Sequence, residues 1–130
     1  MNQLEREMLN IIKELKNEYG VVSVKAEFEA EGTRVDELLR LLELTYKADL
    51  KVALKIGGCE AIRDLLESKS FGCDYIIAPM VESAYGLSKF IEAKNKVFPK
   101  KDESPECLFN VETVTCYDNS KEIFDLAYQN

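Results

Sequence analysis

Four times along this chain a short run rich in Val, Ile, Leu or Phe is followed by a longer segment whose apolar residues recur every three or four positions. The short runs begin near residues 21, 51, 75 and 108. A period of two followed by a period near 3.6 predicts a strand and then a helix. A helix between successive strands implies parallel pairing through right-handed crossovers. The expected class is therefore α/β, one domain over residues 1–130 built of parallel βα units. Both an open doubly wound sheet and part of a closed barrel satisfy that pattern.

The first segment places Leu4, Met8, Ile11, Ile12 and Leu15 at helical intervals, which predicts an amphipathic helix over residues 2–18, ending before Gly20. Four strand-helix units over 21–129 follow. VVSVKAEFE (21–29) alternates apolar with polar, and Thr33 with Asp36 resembles a capping box opening the helix VDELLRLLELTYKA. KVALKI is the second strand, broken by Gly57-Gly58 before a short helix from Glu60 to Lys69. YIIAPM is the third, with Ser83 placed to cap a helix carrying Leu87, Phe90 and Ile91. Residues 96–106 hold two of the three prolines and predict a surface loop. CLFNVET is the fourth strand, and Asn119 is placed to cap the last helix.

Composition narrows the chemistry. The chain has 130 residues, 46% of them apolar, and 24 acidic against 17 basic side chains, for a formal charge of -7. That balance repels phosphate backbones, so nucleic acid is not an expected partner. There is no His, which removes Ser-His and Cys-His dyads and imidazole-bound zinc. Any metal here is expected to be hard and oxygen-bound. The charged N-terminal segment resembles neither a signal peptide nor a membrane span, so no membrane partner is expected and the expected compartment is the cytoplasm. Cys59, Cys73, Cys107 and Cys116 show no Cys-x-x-Cys spacing and are expected to be reduced packing residues.

Charge inside the strands is the feature that points to a site. Val24, Ala26 and Phe28 alternate with Lys25, Glu27 and Glu29; Leu54 and Ile56 flank Lys55; Phe109 and Val111 alternate with Asn110 and Glu112. Strands of a parallel sheet covered on both faces are nearly continuous hydrophobe. These are not. Their polar residues mark either a polar site near the strands' carboxyl ends or a set of structural ion pairs. Gly57-Gly58 offers backbone amides at a strand end, where an anion can sit, although a double glycine also serves a plain turn. Glu29 and Glu31 are loop carboxylates, Glu60, Arg63 and Asp64 start a helix, and Glu82 and Tyr85 follow the third strand.

KAEFEAEGTR, LKIGGCEAIRD, IIAPMVES and LFNVET, in this order and spacing over 21 to about 120, resemble the HpcH/HpaI aldolase and citrate lyase beta-subunit family. The resemblance implies a (β/α)8 TIM barrel of the phosphoenolpyruvate/pyruvate type, binding Mg2+ or Mn2+ and cleaving carbon–carbon bonds through an enolate of a pyruvate-like oxo-acid or an acyl substrate. It places Glu112 at the family's metal-binding Glu and Asn110 where relatives often have a polar amide; Asn110, with the Gly57 and Gly58 amides read above as an anion site, makes the expected substrate-binding set. Lys55 falls where the family has an Arg that holds substrate oxygen. A Lys there keeps the charge and loses the planar fork. Glu27 falls at the acidic position of the first matched strand, a catalytic role if burial raises its pKa.

A complete barrel takes about 250 residues and eight strands. Four strands amount to half a barrel, expected as the N-terminal part of a longer protein or as a shortened relative, without the family's second metal carboxylate. Open sheet edges of such a half invite another chain, and a homo-oligomer is expected. The competing expectation is a non-catalytic α/β half-barrel module that self-associates or binds a partner.

Overall fold

The local rules of helix and strand formation account for the element order found in a computed structural model, which describes residues 1–100 and 104–130. Helix α1 (Gln3–Tyr19) starts on a reciprocal capping box: the Asn2 side chain accepts from the Glu5 N–H at 2.9 Å, and the Glu5 carboxylate accepts from the Asn2 N–H at 2.6 Å. It stops at Gly20, whose φ of 71° takes up the left-handed turn that side chains resist. Strand β1 (Ser23–Glu27), α2 (Val35–Lys47), β2 (Lys51–Lys55), α3 (Ile62–Phe71), β3 (Tyr75–Ala78) and α4 (Ala84–Val97) follow in strict alternation. Strand β4 (Glu106–Phe109) leads to a short α5 (Val114–Asp118) and a final α6 (Ser120–Tyr128). No described helix is long and apolar enough to cross a membrane.

All four strands are parallel, in the order β1-β2-β3-β4, so each strand lies beside its successor. Right-handed crossovers that always step the same way put their helices on one face of the sheet. The packing agrees. Ala26, Val52 and Leu54 meet Leu38, Leu41 and Leu42 of α2. Ile76, Ala78 and Phe109 meet Leu65 of α3, Leu87 and Phe90 of α4, and Ile123 of α6. Helix α1 docks on α2 through Leu9, Ile12, Leu44 and Ala48, and Lys16 ties it to the α2–β2 turn with a 2.7 Å ion pair to Asp49.

Several expected boundaries move. Helix α2 begins at Val35, so Glu37 and not Asp36 reaches back to the Arg34 N–H, at 2.9 Å, while Asp36 pairs with the Arg34 side chain. The third helix runs over Ile62–Phe71, because Gly58 to Ala61 are used in the turn that precedes it. Strand β4 ends at Phe109, leaving Val111 half exposed at 49%. Asn119 precedes α6 without a side-chain cap; its amide donates instead to the Glu82 carbonyl at 2.9 Å. The expected loop over 96–106 overlaps the ends of α4 and β4, and its residues 101–103 lie outside the described residues. All four cysteines are free; Cys73 and Cys116 are buried, but Cys107 is exposed on the edge strand and is not a packing residue.

Candidate functional site

Alternation along the strands sends Lys25, Glu27, Lys55, Ile77 and Leu108 to the face away from the helices. In register, Glu27 lies beside Lys55, Lys55 beside Ile77, and Ile77 beside Leu108. A short polar-rich strand end on that face would normally be hydrated. Here Glu27 and Lys55 are only 5% and 9% exposed, because the side chains of the cluster cover one another.

Lys55 is the centre. Its ammonium lies 2.7 Å from Glu29 Oε2 and 3.8 Å from Glu27 Oε2. Glu27 is held from three other sides: its carboxylate accepts from Lys25 Nζ at 2.9 Å and from the Ala30 N–H at 3.1 Å, and its carbonyl accepts from the Thr33 N–H at 3.0 Å. Glu112 comes from beyond β4. Its Oε1 accepts from the Met80 N–H at 2.8 Å and its Oε2 from the Asn110 amide at 3.1 Å. Asn110 continues the ladder past β4 by donating its backbone N–H to Ala78 at 3.0 Å. Glu112 and Lys55 are close enough for each to act on the other's proton affinity. Thus Lys55, Glu27, Asn110 and Glu112 gather at the carboxyl ends of the strands, with Glu29 and Lys25 completing the group.

Met80 has a φ of 46°, a left-handed conformation that a non-glycine residue adopts at a cost of about 1–2 kcal/mol. The Glu112 carboxylate on its N–H holds this kink at the end of β3. Neither Met80 nor Glu29 stands out from composition, although Glu29 shares the parity of Lys25 and Glu27, and that signal was sufficient to place it on their face. The glycines divide. The Gly57 N–H already donates to the Asp64 carboxylate at 2.7 Å, which takes it out of anion binding. The Gly58 carbonyl accepts the Ala61 N–H in the same turn. Arg63 pairs with Glu67, and Tyr85 is exposed beneath the Lys89 ammonium.

Proton affinities follow from these contacts. The 2.7 Å ion pair with Glu29 raises the Lys55 pKa above its ordinary 10.5 against the opposing effect of burial, with Glu112 and Glu27 adding to the rise. Lys55 is therefore a permanent ammonium at neutral pH, suited to holding negative charge and not to attacking a carbonyl. The hydrogen bond from Lys25 lowers Glu27 below 4.5, opposed by burial and helped by the Ala30 N–H. This is the reverse of the rise that a general base at this position requires. The Met80 N–H lowers Glu112 in the same way.

These directions set a pH dependence. Glu27 and Glu112 bind protons less readily folded than unfolded, so their contribution to stability is complete above about pH 4.5 and is lost as the pH falls through their lowered values. Lys55 works at the other end: its contribution is complete below 10.5 and is lost as the pH rises through its raised value. The urea midpoint is expected to be level between about pH 5 and 10 and to fall on both sides. A midpoint that rises from pH 5 to pH 3 contradicts the pairing.

A divalent ion is the group the family resemblance implies, and the donor set does not fit one. No group of three or more Asp, Glu or Cys side chains among the described residues is arranged to hold a metal. Glu112 is a single carboxylate with both oxygens engaged by protein donors. No protein-family model matches this chain, and no curated protein matches it.

Proposed function

We propose that this chain contributes one half of a carbon–carbon bond lyase site of the aldolase/citrate lyase kind, its sheet forming half of a (β/α)8 barrel and its substrate a pyruvate-like oxo-acid or an acyl compound. One observation carries the reading: at the carboxyl end of β2, on the sheet face that the helices leave uncovered, Lys55 holds its ammonium 2.7 Å from Glu29 and 3.8 Å from Glu27. In a barrel this is the end where sites are built. When the bond between the α and β carbons of a β-hydroxy carbonyl compound breaks, its electrons pass through the α carbon to the carbonyl oxygen as an enolate, while the β-hydroxyl gives up its proton and becomes the carbonyl of the departing fragment. A fixed ammonium such as Lys55 stabilises the enolate oxygen in the transition state more than in the ground state. The Asn110 amide supports the same side of the site, and Glu112 fixes the Met80 backbone that borders it. With Glu27 and Glu112 both acidified, the proton acceptor in this reading is supplied from beyond these two groups. The free cysteines and the acidic charge accord with a reducing cytoplasm.

A second reading, a non-catalytic module, is favoured by the fact that Lys55, Glu27 and Glu112 each already have partners within the chain. As half of a site whose proton acceptor lies beyond Glu27 and Glu112, this chain alone is expected to be inactive, so binding and not turnover separates the two. Oxalate, a mimic of the pyruvate enolate, is expected to bind the wild-type chain saturably in calorimetry, and Lys55→Met is expected to weaken that binding about tenfold. No saturable binding by the wild-type chain, or binding unchanged in Lys55→Met, overturns the lyase reading and leaves the module.

A further inference from the structure

The two edges of the sheet are complementary to each other. In a parallel ladder a residue turns its N–H and C=O to one neighbour and the next residue turns them to the other. Val22 and Phe28 bond toward β2, so Ser23, Lys25 and Glu27 turn outward. Glu27 is satisfied by Thr33, which leaves Ser23 and Lys25 without a backbone partner among the described residues. On the far side Glu106 and Asn110 bond toward β3, so Cys107 and Phe109 turn outward, again two residues without a backbone partner among the described residues. Each edge thus presents the same length of open ladder.

The helix layer repeats the match. Beside the β1 edge, Leu4 and Met8 of α1 line a groove with Lys25 and Ala26 and are 64% and 37% exposed. Beside the β4 edge, a cavity of about 330 Å3 is lined by Leu87, Phe90, Ile91, Cys107 and Phe109. An apolar helix stripe at one end faces an apolar cavity at the other.

From these matches we propose that two copies of this chain join head to tail, β4 of each beside β1 of the other, closing one two-fold symmetric barrel. The four strands of each copy bring the total to eight, the number whose interior side chains just fill. Pairing β1 with β1 would leave like edges together and the β4 edge open; only the heterologous pairing satisfies both edges, and a two-fold axis closes it. The uncovered face becomes the barrel interior, and two sets of Lys55, Glu27 and Glu112 share it. The proposal rests on the edges and not on the lyase reading, and its test involves no catalysis.

The mass in solution is the first measurement, with twice the 14.8 kDa of one chain expected. Cys107→Pro removes an outward N–H and leaves the bonds to β3 in place, so it is expected to raise the dimer dissociation constant at least tenfold while circular dichroism stays unchanged. Val24→Cys, whose side chain lies on the helix face with Cys107, is expected to give a covalent dimer with a bismaleimide spanning about 10 Å, a reach that tolerates a register offset of two residues. The wild type, and Val24→Cys carrying Cys107→Ser, are expected to give none. A chain that stays monomeric at about 100 µM overturns the proposal, since an interface of this kind binds more tightly than that. So does an open series of oligomers growing with concentration, or a dimer that survives Cys107→Pro and fails to cross-link.

Discussion

Leu54→Ala is expected to lower the unfolding free energy by about 2–5 kcal/mol, out of a total of about 5–15 kcal/mol for a domain of ordinary stability. Leu54 is fully buried at the centre of β2, beside Ala26 in β1 and Ile76 in β3, with Leu38 of α2 above it. Truncation removes its transfer free energy and leaves a void that a sheet pinned on both sides cannot collapse into. Leu39→Ala is the contrast. Leu39 is 48% exposed on α2, where alanine is an equally good helix former, and the expected change is within about 0.5 kcal/mol. Urea midpoints of the two variants measure the difference. Equal losses would mean that α2 does not lie on the sheet by the face described.

The same leucine shows what was legible in the sequence. Its place opposite Lys55 followed from period-two alternation, as did Ala26 and Phe28 on the helix-covered face and Lys25, Glu27 and Glu29 on the other. The order of elements came from the switch between two periods, which is a strong signal in segments of this length. Strand ends were not legible. Alternation continues through Asn110, Val111 and Glu112, but the ladder of β4 has no regular partner past Phe109, because β3 has turned at Pro79 and Met80. Val111 is consequently half exposed where alternation placed it in the core. Sheet order was not legible either. A doubly wound sheet and a singly wound one differ in which strand lies beside which, and only the pairing of β1 through β4 in sequence separates them.

For the site, residue types and parity were sufficient to gather Lys55, Glu27, Asn110 and Glu112, but not to say who holds whom. The Gly57 amide looked free for an anion until Asp64, a helix-starting residue seven positions on, took it. Glu27 looked like a base that burial would raise; Lys25, two residues away on the same face, lowers it instead. Both outcomes turn on side-chain reach across a twisted sheet, which no one-dimensional pattern contains. Nor does any pattern reveal the left-handed Met80 that Glu112 secures.

Lys55→Met tests the network as a whole. The methionine fills similar space without the charge, leaving Glu27, Glu29 and Glu112 with Lys25 as the one remaining cation of the group. The side chain of Lys55 is 11% exposed, and that of Glu27 7%, so water compensates little for the lost partner. The expected result at pH 7 is a fall in Tm of about 5–10 °C. The deficit is expected to shrink as the pH approaches 4.5, because the stranded carboxylates then take up protons and the repulsion among them disappears. Lys55→Arg restores the charge and is expected to recover most of the loss. Adding Glu29→Gln to Lys55→Met removes the carboxylate left nearest the vacancy, at 2.7 Å in the wild type, and is expected to recover part of it. This coupling distinguishes a lost ion pair from simple misfit of the methionine, since misfit responds neither to pH nor to residue 29. If Lys55→Met unfolds at the wild-type temperature at pH 7, the charges are hydrated singly and the cluster does not exist as a unit.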